Sequence, residues 1–419
     1  MIEKTGVKQT FSISSFFFLI CVLWINGGVI RFSKAFNAII LIAFFAMGLL
    51  FMFVDFTYVR KNVLSDCGYI CGIFFLMTIL PTSILLYKSI DGESSKVLYA
   101  LILLAIQLYL RRKGSYIAKI FVFAILIDSI IINIKTIITL ATSEDIARIY
   151  ASGSDAVLES GFDIYLLGGY GYIYSLVFAL IFLVTEKNEI KDLHISQRII
   201  VWVYAITSII TIIEAQYTIA ILALIIWSIF ALATKSGFNA KTIISALVLI
   251  ILFIFVGKFL IEYSVKNNIF GRIVTDRLSQ LLGLSSGQIT SGSDLESRKD
   301  LYLKTLKYLP KCFFFGTYET SEQANLLLGW HTEWFDRLAR FGIIRYSFFV
   351  AFLIKSIKYS LPASNKHGKY LAYITCLIFL GIVNPILTNN FYLIMFIFIP
   401  FVFSNDKSQE INNEKNIAC

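Results

Sequence analysis

The side chains best suited to chemistry are a set of arginines and one histidine, and most of them fall in a single segment. Between Tyr263 and Arg340 lie ten basic residues, among them Arg272, Arg277, Arg298, Arg337 and Arg340. His331 lies in the same stretch, whereas the other two histidines, His194 and His367, lie in separate loops. A planar guanidinium neutralises phosphate-type charge through paired hydrogen bonds. An imidazole titrates near the working pH and can accept a proton from a reacting hydroxyl. Structural uses compete with both roles. Glu333 and Arg337, like Asp336 and Arg340, are spaced i,i+4 with the acid first, which stabilises a helix by ~0.2–0.5 kcal/mol per pair. Arg298 has no acid four residues on, Arg272 and Arg277 flank Asp276, and Arg148 stands in a second, shorter polar segment. The six cysteines are scattered, and no histidine or second cysteine pair joins Cys67 and Cys71. Neither a metal site, a cofactor nor a disulfide framework is expected.

The elements that must hold these groups are helices in a membrane. Of 419 residues 58% are hydrophobic and 15% charged, with a mean hydropathy of +0.77, which excludes an ordinary water-soluble globule. The expected fold class is all-α: a polytopic membrane protein with about 12 transmembrane helices and a large external loop between helices 9 and 10. The spans read as 11–30, 36–54, 69–87, 97–110, 116–141, 165–185, 199–214, 217–233, 242–262, 341–360, 371–386 and 388–403. By domain, residues 1–262 hold helices 1–9 with a short external loop at 142–164. Residues 263–340 form the large loop, 341–403 hold helices 10–12, and 404–419 are a tail. Short loops and tails on the side of the termini carry nineteen Lys and Arg against five on the other side. By the positive-inside rule both termini are cytoplasmic. The net charge of +10 therefore points to the cytoplasmic leaflet and membrane lipids rather than to nucleic acid. Phe11–Ile30 reads as a retained spanning helix, not a cleaved leader.

Within the large loop, residues 298–309 place Leu301, Lys304, Thr305 and Tyr308 along one side of a helix, with Leu303, Leu306 and Leu309 as a neighbouring apolar strip. That pattern predicts an amphipathic helix at the membrane surface, limited by Pro310, with Cys312–Phe315 dipping back into the interface. Trp330–Phe341 reads as a second helix leading into the tenth span. Inside spans, Asp128 and Lys135 share a face and are candidates to pair with each other's neighbours or to line a cavity. Lys258 and Glu262, spaced i,i+4, read as snorkelling ends of the ninth span.

Three elements in order, Arg298, the run FFFGTYE containing Gly316, and HTEWFDRLARFGII starting at His331, resemble the signature region of the O-antigen polymerase and ligase superfamily, the Wzy-like enzymes. His331, Trp334, Phe335, Leu338 and Gly342 match the helix pattern of that family. The match covers about 46 residues (Ser297–Gly342). There are departures: Thr332 stands where Asn is usual, Arg340 where Glu often precedes the Phe-Gly, and Glu214-Ala-Gln-Tyr217 where a Ser-Arg is often found. The resemblance implies a polymerase that joins undecaprenyl-diphosphate-linked oligosaccharide repeat units into O-antigen or capsular polysaccharide. It implies an inverting, metal-independent glycosyl transfer on the outer face of a bacterial inner membrane, within lipopolysaccharide biosynthesis, alongside a protein that regulates chain length. It points to His331 and Arg298 for catalysis; Arg272, Arg277, Arg337 and Arg340 are, by their charge, the candidates for diphosphate binding. Arg148 and Glu214 are further candidates. The competing readings are a lipid-linked oligosaccharide flippase and an O-antigen ligase.

Overall fold

The computed structural model describes residues 12–27, 67–87, 92–142, 167–215, 217–234, 294–317, 327–329, 331–360 and 367–403, with isolated positions between 244 and 267. The described residues are helical, with no strand among them. In chain order the helices are α1 (Ile13–Asn26), α2 (Cys67–Tyr87), α3 (Gly92–Lys113), α4 (Ser115–Thr142), α5 (Tyr170–Thr185), the short α6 (Lys187–Lys191), α7 (Ile195–Glu214) and α8 (Thr218–Thr234). They continue as α9 (Asp294–Cys312), α10 (Glu333–Ser360), α11 (His367–Val383) and α12 (Asn389–Phe401). Ten of the expected spans have a counterpart among these helices. The second expected span, 36–54, lies outside the described residues, and the ninth, 242–262, almost entirely so. Lys258 and Glu262 do pair, at 4.0 Å, with both side chains about half exposed.

Among the described residues, three helices are long and apolar enough to cross a membrane: Ser94–Lys113, Ser115–Thr142 and Ile195–Glu214. Six shorter ones are apolar, α1, α5 and α12 among them. The polarity of α7 is turned outward. Its exposed stripe is Ile199, Trp202, Ile206, Ile209 and Ile213, while Tyr204, Ser208 and Thr211 face inward. A helix in water would place those stripes the other way round. Hydrocarbon is the solvent that suits it.

Helix ends follow local chemistry. Ser12 caps α1 by accepting from the Ser15 amide, and Gly27 ends that helix at φ 80. Gly114, at φ 91, turns the chain between α3 and α4 beside Arg111, Arg112 and Lys113. Thr388 caps α12 by accepting from the Phe391 amide. α5 and α12 are buried nearly all round, and α12 loosens into a π-helical turn at Ile394–Phe398 without leaving the core. Around this centre α4 packs on α1 and α7, α8 on α5 and α11, and α2 on α10. The end of α1 and the starts of α3, α5 and α12 meet at one end of the bundle.

One local expectation needs correction. Pro310 does not end the loop helix: α9 runs through it to Cys312. Pro310 has no amide to bond back to the Leu306 carbonyl, and the helix ends two residues later.

Candidate functional site

The site is assembled where α9 lies against the start of α10. Thr332 caps α10: its hydroxyl accepts from the Asp336 amide (3.0 Å), and the Asp336 carboxylate in turn accepts from the Thr332 amide (2.6 Å) and hydroxyl (3.1 Å). This is a reciprocal cap, one residue longer than the usual box. From α9, the Thr305 hydroxyl donates to the other Asp336 oxygen (2.6 Å) and accepts from the Gly329 amide (2.8 Å). Gly329 is required here, because a Cβ would collide with the Leu301 carbonyl. The backbone on both sides of His331 is thereby pinned. His331 itself is half-buried, one residue before the cap.

One turn further on, Glu333 and Arg337 form an ion pair with side chains 2% and 5% exposed. The second Glu333 oxygen accepts from the Leu387 amide at 2.8 Å, and the Arg337 guanidinium sits 4.8 Å from the centre of the Phe349 ring. A buried charge needs this many partners. Arg337, expected among the diphosphate ligands, thus has its charge balanced inside the protein and acts as a staple. Glu333 holds the loop between α11 and α12, where the Asn384 amide donates to the Tyr174 hydroxyl (2.9 Å). The Trp334 indole donates to the Ile378 carbonyl (2.8 Å) and fills the space left by the absent side chain of Gly381. The Tyr302 hydroxyl bonds the Ile382 and Val383 carbonyls at 2.9 and 3.2 Å.

The turn after α9 is joined to α10 through two glycines at positive φ, Gly316 (78) and Gly342 (70). Each occupies the room a Cβ on the other would need: Gly316 faces the Arg340 carbonyl and Gly342 the Phe314 carbonyl. The Ile343 amide donates to the Phe313 carbonyl (2.7 Å), and the Arg345 guanidinium donates to the Phe315 carbonyl. Gly342 kinks α10 where the tenth span was expected to begin. Phe314 and Phe315 project outward, 63% and 62% exposed, beside the exposed Leu303 and Leu306 of α9. The face of α9 expected to be polar carries Thr305 into α10 instead. Cys312 is buried in the seam with Leu328 and Ala339, and burial pushes its thiol up, away from a nucleophile's range.

Of the other expected residues, Arg298 lies on α9, and half-buried Arg340 sets its guanidinium 5.5 Å from the centre of the Phe341 ring. Glu214 is exposed at the end of α7. Arg148, Arg272 and Arg277 lie outside the described residues. Asp128 is bonded by the Asn26 amide (2.7 Å), and Lys135 is half-buried on the same helix. Sequence reasoning did not single out Thr305 or the second bond of Glu333. The Thr332-to-Asp336 spacing was a readable cap signal, but the partners from α9 and the α11–α12 loop were not readable. Among the described residues, no group of three His, Cys, Asp or Glu is placed to hold a metal ion. No known protein family matches the chain, and no curated protein is similar to it.

Proposed function

We propose that this protein is a glycosyltransferase: a polymerase of undecaprenyl-diphosphate-linked oligosaccharide repeat units. It would sit in a bacterial inner membrane with twelve spans, both termini in the cytoplasm and the large loop outside. The observation that carries the reading is the presentation of His331. A buried network holds the backbone on either side of it, and the lysine-rich α9, bearing Lys299, Lys304, Lys307 and Arg298, lies alongside. Helix ends that the twelve-span count places outside, those of α1, α3, α5 and α12, also share one end of the bundle.

In the proposed step, a hydroxyl oxygen of the acceptor sugar attacks the anomeric carbon of the donor. The bond from that carbon to the diphosphate oxygen breaks on the opposite face, so configuration inverts. The diphosphate keeps the electron pair, and Arg298, Arg340 and the arginines at 272 and 277 stabilise its charge. His331 takes the hydroxyl proton. Arg337 positions the helix rather than touching substrate. Thr332, in place of the family's Asn, exchanges one good N-cap residue for another, so the departure leaves the geometry of His331 intact.

The test is a polysaccharide ladder on a gel from a polymerase-deficient host. His331→Ala and Arg298→Ala should each abolish long-chain bands while the protein still inserts. Unchanged banding in both would refute the assignment. On deletion, single repeat units at the cell surface support the polymerase, whereas complete loss of surface units indicates a flippase. Loss of transfer to lipid A, with polymer still made, indicates a ligase.

A further inference from the structure

A cavity of about 560 Å³ opens at the same end of the bundle, between the end of α1, the start of α3, the Leu167–Tyr172 segment and the start of α12. Its volume falls in the ~300–1,000 Å³ range of small-ligand sites. Its lining is aromatic and amide in character: Trp24, Tyr99, Tyr170, Asn26 and Asn389, with Lys96 the one charged residue among the described lining. We propose that this cavity binds a sugar ring, independently of the arginine-bearing loop.

Three observations carry the assignment. Asn389 Oδ1 is buried and accepts no hydrogen bond. A buried acceptor of this kind calls for a donor. A sugar hydroxyl donates, whereas a deprotonated phosphate only accepts. Next, Trp24 and Tyr99 meet edge to face with ring centres 5.5 Å apart, and both are half-buried where they line the cavity. Aromatic walls with polar rims match a ligand with apolar C–H faces and hydroxyl edges. Last, the cavity is braced from behind. The Asn26 amide donates to Asp128 (2.7 Å) and Ser129 (3.2 Å), and the Asn390 amide donates to the Asn26 carbonyl (3.0 Å). The Tyr172 hydroxyl reaches Asn133 (2.9 Å), and the Gly168 amide donates to Thr136 (2.8 Å). These bonds fix α1, α4, α5 and α12 around the opening, so its shape precedes the ligand.

The cavity also adjoins the loop site. Leu387, held by Glu333, immediately precedes Thr388 and Asn389 of the lining. Resting on the polymerase reading in this clause only, the cavity would seat a sugar of the repeat unit while the diphosphate lies toward α9.

The test uses the full chain in lipid nanodiscs and ligand-detected saturation-transfer NMR. The probes are methyl glycosides of glucose, galactose, N-acetylglucosamine, N-acetylgalactosamine, rhamnose and glucuronate, each at millimolar concentration, plus inorganic diphosphate. At least one glycoside should show transfer to its ring protons. Asn389→Ala should weaken it roughly tenfold, equivalent to ~1.4 kcal/mol, and Ser95→Phe, which fills the cavity, should abolish it. Should Asn389→Ala fail to fold, Ser95→Phe and Asn389→Asp, which keeps the acceptor and should keep binding, decide the matter. Absence of transfer to every glycoside overturns the proposal, as does transfer unaltered in Ser95→Phe or displacement of the sugar by diphosphate alone. His331→Ala should bind sugar like the wild type. Sugar binding with normal ladders in both the His331 and Arg298 variants would sink the polymerase assignment and spare the cavity; lost ladders without sugar binding would do the reverse.

Discussion

Two polar regions at one end of this bundle are built to opposite ends. Around α9 and α10, the carboxylates of Asp336 and Glu333 are spent on internal partners: Thr305, Thr332, Arg337 and the Leu387 amide. Around the cavity, the donors of Asn26 are spent in the same way, yet Asn389 keeps a buried acceptor without a donor. The first region is a buried knot that holds backbone. The second borders an open cavity. The lesson is that charge alone misleads in a membrane protein: Arg337 carries the charge yet is buried against Glu333 and Phe349, while the uncharged Asn389 lines a cavity.

Breaking the knot should cost most. Glu333→Ala strands the Arg337 guanidinium and leaves the Leu387 amide without its acceptor. We expect a loss of about 3–5 kcal/mol in detergent unfolding; an unchanged midpoint would mean that the knot is not closed. Gly316→Ala comes next, with a cost of at least about 3 kcal/mol, since the left-handed backbone is strained for alanine and the methyl meets the Arg340 carbonyl. Limited proteolysis should then cut near the Phe313–Phe315 turn sooner than in the wild type. Thr305→Val keeps the shape but removes a donor to Asp336 and an acceptor for Gly329, for a loss of about 1–3 kcal/mol. Smallest is Asn389→Ala, which removes an unsatisfied group and should shift stability by no more than about 0.5 kcal/mol. A large destabilisation there would show that Asn389 is structural and erase the contrast.

Much of the frame was legible from composition and periodicity. Helices occur over the expected spans 69–87, 97–110 and 116–141, and a helix with a kink at Gly342 covers the expected 341–360. Apolar periodicity is a local signal that a helix cannot hide. The site was only partly legible. His331 could be picked by residue type, and the cap by the spacing from Thr332 to Asp336. The i,i+4 spacing offered Arg337 either as a staple or as a phosphate ligand, and its burial beside Glu333 and Phe349 gives it the staple's role. The polar ladder of α4, with Asp128, Ser129, Asn133 and Thr136, drew notice only for its acid, because Ser, Thr and Asn are common in spans and reveal their partners only across helices.

By itself the sequence determined that this is a helical protein suited to hydrocarbon and which stretches become helices. Those properties rest on backbone hydrogen bonds and side-chain polarity within a few residues. Only the tertiary structure decided which polar groups satisfy each other and which are left facing a cavity. Glu333 meets Leu387, Thr305 meets Asp336 and Asn26 meets Asp128 across separations of 54, 31 and 102 residues. Whether a buried polar atom finds a partner depends on what the packing of distant helices brings within about 3 Å of it.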